Sequence, residues 1–97
     1  METSTYFTMS IDVEHATKSG EFLLESDVYV EARLYVEPED RDYPGYTDVE
    51  IDLIEWAGDS GILSEYGVVA KGQDLTKWFE TNDAYSKIEA EVIEQLR

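Results

Sequence analysis

His15 is the single histidine of this 97-residue chain, and there is no cysteine. Those two facts bound the covalent chemistry. Without a thiol there is no thiolate nucleophile, no disulfide and no Cys-type zinc site. A nucleophile–His–acid arrangement would have to be built on His15. No nucleophile-elbow or comparable motif accompanies it. His15 to Gly20 is polar and ends in glycine, so it reads as a loop. Carboxylates are the abundant reactive group: 23 acids face seven Lys and Arg. Paired carboxylates can hydrolyse glycosides, but so many acids guarantee chance pairs, and so small a chain offers little cleft. Glu39, Asp40 and Asp42 crowd one turn. Their spacing does not match the EF-hand loop, which needs alternating acids, a central glycine and a distal glutamate. No glycine-rich phosphate-binding motif is present. The expectation is a protein that is not an enzyme, with no catalytic residue, no cofactor and no metal site.

What remains is charge. The net charge is −16, which disfavours nucleic acid and anionic membrane surfaces as direct partners and favours basic proteins. The charge is uneven along the chain. Residues 37–59 hold nine acids against Arg41 alone, net −8, or half of the total. Within that stretch Asp48, Glu50 and Asp52 alternate. On a strand they would share a face at intervals of about 6.6–6.8 Å. That is about twice the 3.4 Å axial rise per phosphate of one DNA strand. Like charges on neighbouring strands destabilise a sheet, so such a row exchanges stability for something else. Tyr29, Tyr35, Tyr43, Tyr46 and Trp56 are interleaved with the acids, and aromatics beside charge are common binding-surface material. The expected partner-binding set is Glu37, Glu39, Asp40, Asp42, Tyr43, Tyr46, Asp48, Glu50 and Asp52. The bland alternative is that the acids only keep the chain soluble.

These side chains need a fold to hold them. With 42% hydrophobic residues the chain is too apolar for a solvated acidic tail, and its length fits one domain, residues 1–97. Residues 5–14 alternate, with Phe7, Met9, Ile11 and Val13 on one side. Residues 28–37 alternate again, with Val28, Val30, Ala32, Leu34 and Val36 inward. Phe22 to Leu24 extends that strand through a bulge near Ser26. Pro38 ends it, and Pro44-Gly45 marks a turn. In a third strand Thr47, Val49, Ile51 and Leu53 face in. The phase then breaks, because Ile54 and Trp56 fall on the acidic side. Gly67–Gly72 suggests a short fourth strand. Asp74 caps a short helix with Leu75, Trp78 and Phe79. Asp83 is the expected N-cap of a last helix whose stripe is Tyr85, Ile88, Val92 and Leu96. The fold class expected is α+β, an antiparallel sheet of three to four strands packed as a meander against a C-terminal helix.

No stretch approaches the 18 apolar residues of a membrane span, and Met1–Thr8 lacks the pattern of a secretory leader. The chain reads as cytoplasmic, and a homodimer is compatible with it.

Three stretches carry a resemblance: Tyr43-Pro-Gly-Tyr-Thr-Asp-Val-Glu-Ile-Asp-Leu-Ile-Glu-Trp56, Asp74-Leu-Thr-Lys-Trp-Phe79, and Tyr85-Ser-Lys-Ile-Glu-Ala-Glu-Val-Ile-Glu-Gln-Leu96. With its Pro-Gly turn, V-E-I strand and acidic terminal helix, the chain resembles small acidic proteins of tailed bacteriophages and prophages over residues 28–97. That group has no general activity, so no catalytic residue is implied. The resemblance implies a context in which small acidic inhibitors of host defences, DNA mimics and anti-CRISPR proteins among them, are common. It points to a protein that binds a basic, nucleic-acid-binding host protein and competes with nucleic acid, in the host cytoplasm. The alternative is an accessory or virion component with a solubilising surface.

Overall fold

Two long strands dominate the fold. The computed structural model describes residues 2–38 and 45–95, and for Tyr46 the backbone alone. β1 runs Glu2–Thr17 and β2 runs Gly20–Glu37. They pair antiparallel without a register break, from Glu2 opposite Tyr35 to Thr17 opposite Gly20. Only Lys18 and Ser19 lie between them. Thr17 Oγ1 donates to the Gly20 carbonyl at 2.8 Å and accepts from the Ser19 N–H. Gly20 has φ +129°, a conformation that favours glycine. The expected loop from His15 to Gly20 is therefore a strand end and a tight turn. The bulge expected near Ser26 is absent from this pair.

β3 (Tyr46–Trp56) lies on the far side of β2. Its register slips once, opposite Glu31 and Ala32. Ala32 faces Ile51 and Glu31 faces Leu53, so Asp52 is the extra residue of a bulge. That bulge resolves the broken phase. It returns Ile54 and Trp56 to the inner face and puts Leu53 outward beside Glu31, opposite to the inward position expected. Two three-residue strands, β4 (Gly61–Leu63) and β5 (Gly67–Val69), extend the other edge, where Leu63 pairs with His15. The order is β3-β2-β1-β4-β5. Among the described residues the sheet thus has five strands rather than three to four. The meander breaks after β3, because the chain crosses to the opposite edge.

The inner face carries the helices. α1 (Thr76–Glu80) and α2 (Tyr85–Gln95) place Phe79, Ile88 and Val92 against Ile11, Val13, Val28, Val30, Ile54 and Trp56. The α+β class holds. The N-cap of α1 is Leu75, without a side-chain cap, rather than the expected Asp74; Asp74 sits one residue earlier, and its Oδ1 accepts from the Thr76 N–H at 2.9 Å. At α2 the accepting side chain is Asn82, which takes the Ala84 N–H at 2.9 Å, in place of the expected Asp83. Leu96 lies outside the described residues. Segment 72–76 hems the edge of β3 through Trp56 N–H to the Gln73 carbonyl (2.9 Å) and Leu75 N–H to the Ile54 carbonyl (2.8 Å). The described residues span 59 × 21 × 19 Å with a radius of gyration of 15.7 Å. A compact chain of this length would have about 12.5 Å. The long hairpin makes the molecule a rod with one broad sheet face along its length.

His15 is part of the core edge, not of a loop. Its ring stacks on Phe22 at 5.8 Å and lies 5.9 Å from Trp56. His15 Nε2 and Ser26 Oγ are hydrogen-bonded at 3.1 Å, and the Ser26 hydroxyl also reaches the Leu24 carbonyl at 3.3 Å. Burial pushes the His15 pKa below its ordinary 6.5. A depressed histidine gives stability that is full above 6.5 and is lost as pH falls from there through the lowered value. The melting temperature should therefore decline on acidification below 6.5, and His15→Gln should remove that component. A pH series of thermal melts on both proteins checks it, and identical slopes would contradict it.

Candidate functional site: an acidic sheet face

The face turned away from the helices collects carboxylates. Side chains on paired strands share a face when they sit opposite one another. By that rule β1 contributes Glu2, Asp12 and Glu14. β2 contributes Glu21, Glu25, Asp27, Glu31 and Glu37, and β3 contributes Asp48, Glu50, Asp52 and Glu55. Twelve of the 23 acids thus lie on one side of three strands, where Arg33 is the one cation among the described residues. Alternate residues are about 6.6–6.8 Å apart along a strand, and strands are about 4.8 Å apart. The result is a two-dimensional array of charge rather than a single row.

The array has two regions with different electrostatics. At the β3 side, Arg33 binds three acids. Its Nη2 lies 2.8 Å from Asp52 Oδ1 and 2.9 Å from Glu50 Oε1, and its Nη1 lies 3.3 Å from Glu2 Oε1. Nε also donates to Asp52 Oδ2 at 3.0 Å. Hydrogen bonding to Asp52, then the charges of Asp52 and Glu50, raise the Arg33 pKa. The bulge makes this possible, because it places Glu50 and Asp52 within reach of one guanidinium. The row read from the sequence is therefore partly neutralised.

On the hairpin side no strand cation bridges the acids in this way among the described residues; Lys87 of α2 shares a cleft with Asp12 and Glu25. Asp12 sits directly opposite Glu25, a destabilising like-charge pair. Asp27 accepts a hydrogen bond from Ser10 Oγ at 2.6 Å, and Glu31 accepts from the Tyr29 hydroxyl at 2.9 Å. That bond, with the Glu31 charge, holds the Tyr29 pKa above its ordinary value. Near the turn, Glu14 and Glu21 share a hydrogen bond, and Ser64 Oγ also donates to Glu21 at 2.8 Å. The shared bond and the Glu21 charge raise the Glu14 pKa, while hydrogen bonds from Glu14 and Ser64 lower that of Glu21. The raised Glu14 pKa gives stability that is full below 4.5 and is lost as pH rises through the raised value. The Glu21 contribution has the opposite sense. Glu14→Gln removes the like charge beside Glu21 and keeps the shape of the side chain. The variant should match wild type at pH 4.5 and exceed it progressively towards neutral pH. Paired chemical denaturation curves across that range measure the difference, and a constant offset would contradict the assignment.

Of the residues read from the sequence as partner-binding, Glu37, Asp48, Glu50 and Asp52 lie on this face. Tyr46 is opposite Glu37 on β3. Glu39, Asp40, Asp42 and Tyr43 lie outside the described residues. Trp56 is not a surface aromatic: it is 2% exposed and donates its indole N–H to the Asp59 carbonyl at 2.7 Å. Among the described side chains, the aromatics on the face are Tyr6, Tyr29 and Tyr35, of which Tyr6 is 74% exposed. Sequence reasoning missed Asp12, Glu25 and Asp27 as the unneutralised centre. Their own alternation was visible; their juxtaposition depended on the hairpin register.

Among the described residues, no group of three or more His, Asp or Glu is placed to hold a metal ion. No helix there is long and apolar enough to cross a membrane. Comparison with protein-family models, curated proteins and solved structures finds no match to this chain.

Proposed function

We propose that this is an acidic, phage-type interaction protein that binds a basic nucleic-acid-binding protein of the host and excludes nucleic acid from it. The observation that carries this reading is the sheet face with twelve carboxylates and one guanidinium. Such a face attracts a cationic surface over distances set by the Debye length, about 10 Å at 0.1 M salt. It offers carboxylate oxygens to the Lys and Arg side chains that otherwise hold phosphates. The exposed tyrosines add flat contact area beside the charge. The resemblance to small phage proteins supplies the context: a host defence protein such as a CRISPR or restriction component, met in the host cytoplasm. No catalytic step is involved, since binding by itself occupies the surface.

The test is capture from bacterial lysate on the immobilised chain, followed by competition. The expected partner is a nucleic-acid-binding protein, released by high salt and displaced by short duplex DNA or RNA. Capture that is insensitive to salt, or a complex that still binds nucleic acid at full strength, would leave the solubilising reading as the better one.

A further inference from the structure

The unpaired edge of β1 is the other feature of the molecule that calls for an occupant. Ser64 N–H donates to the Glu14 carbonyl at 3.0 Å, so even-numbered residues of β1 turn their backbone groups towards β4. β4 covers β1 only around His15. Backbone direction alternates along a strand, and the β1–β2 register is unbroken. The N–H and C=O groups of Ser4, Tyr6, Thr8 and Ser10 therefore point outward, and no described strand pairs with them. Thr3–Ile11 contains no charged residue, proline, glycine or bulge, in a chain of which 31% is charged. Charge, proline, bulges and shortness are the devices that keep sheet edges from pairing. This edge has none of them over about 30 Å. β3, at the opposite edge of the sheet, carries Asp48 and Glu50 and is hemmed by segment 72–76.

We propose that this edge pairs antiparallel with the same edge of a second copy, joining two sheets into one. The charge pattern selects the occupant. Between Thr3 and Ile11 the strand itself offers no carboxylate to a basic strand and no cation to an acidic one; Lys87 of α2 borders only its inner end, in a cleft with Met9, Ser10, Ile11 and Asp12. A neutral strand of the same length and alternation fits, and the chain's own edge has that chemistry. Glu2 and Asp12 close the strip at its two ends. Antiparallel pairing about a two-fold axis normal to the sheet keeps like faces together. Phe7 and Met9, half-buried on the inner face, then gain apolar neighbours across the junction. The two acidic faces become one continuous surface. Their mutual repulsion opposes assembly, so salt strengthens the pair. This proposal stands whether or not the acidic face binds a basic partner.

Analytical ultracentrifugation of the full chain at low and high salt tests it. The expected mass is twice the 11.1 kDa of the chain, with the twofold species increasing as salt is raised. Thr8→Pro removes one outward N–H without touching the β1–β2 ladder, and prolines are tolerated at such edge positions. It should return the mass to that of one chain, while Thr8→Ala should not. Tyr6→Pro repeats the test at a second outward N–H. Circular dichroism and melting of each variant establish that it is folded. A wild-type chain that stays monomeric at both salt concentrations overturns the proposal. So does a pair that survives both proline variants, or an assembly larger than two.

Discussion

Trp56→Ala should lower the stability of this protein by about 3–5 kcal/mol. A chain of this length has roughly 5–15 kcal/mol in total, so the loss is a large share of it. Trp56 is 2% exposed and stands where several elements meet. Its backbone takes the Gly72 N–H at 2.7 Å and gives its own N–H to Gln73, which fastens the segment leading into α1. Its ring lies against His15 and the rest of the core. Trp56→Phe keeps part of the ring volume and loses the bond to the Asp59 carbonyl. Asp59 is exposed and its carbonyl can take water instead, so that change should cost much less than the alanine. The readout is the urea midpoint at constant slope. A loss below about 1 kcal/mol for the alanine variant, within the range of ordinary surface changes, would mean that Trp56 does not anchor the fold.

Neutralising the hairpin side of the acidic face should slow association with a basic partner by about tenfold or more at low salt. The variant is Asp12→Asn, Glu25→Gln, Asp27→Asn and Glu31→Gln together. The replacements are close in shape, and the amide oxygens introduced at positions 27 and 31 can still accept from Ser10 and Tyr29. Removing the Asp12–Glu25 opposition should raise the melting temperature. The control removes four acids off the face: Asp59, Glu80, Asp83 and Glu89, each to its amide. Both variants have the same net charge. If they lose association rate equally, the total charge steers the encounter and the face is not the interface. Neutralising Glu50 and Asp52 is a poorer experiment, because it leaves Arg33 with Glu2 alone. It should destabilise the sheet while removing charge, and so confuses folding with binding.

The same Arg33 cluster marks where reading from the chain reaches its limit. Asp48, Glu50 and Asp52 alternate in the sequence, and two of the three converge on a cation 17 and 19 residues earlier. The broken phase at Ile54 did signal a bulge. Its position at Asp52, and hence the outward turn of Leu53, depended on which residues of β2 stood opposite. At Ser26 the same kind of signal misled. Phe22, Leu23 and Leu24 are 43%, 69% and 47% exposed, so their apolar run reflects no buried face, and the β1–β2 register passes through it unbroken. β4 and β5 have three residues each, too few to show a period; β4 is held at the β1 edge through Leu63 and His15, and β5 pairs with β4.

By itself the sequence determined what is local. The two-residue alternation of 5–14, 28–37 and 47–51 follows from side chains projecting to opposite sides of an extended backbone. Pro38 closes β2 because it lacks an N–H, and Ile88 and Val92 fall on one helical face because they are four apart. The acidic excess was equally plain. Tertiary structure alone decided which alternations meet. Pairing β1 with β2 puts Asp12 against Glu25 across thirteen residues of chain and gathers twelve carboxylates that no linear window contains. It also left one neutral edge uncovered. Register is a long-range property, set by the closure of the Lys18–Ser19 turn and the burial of one face, and the charge pattern of a sheet is a consequence of register.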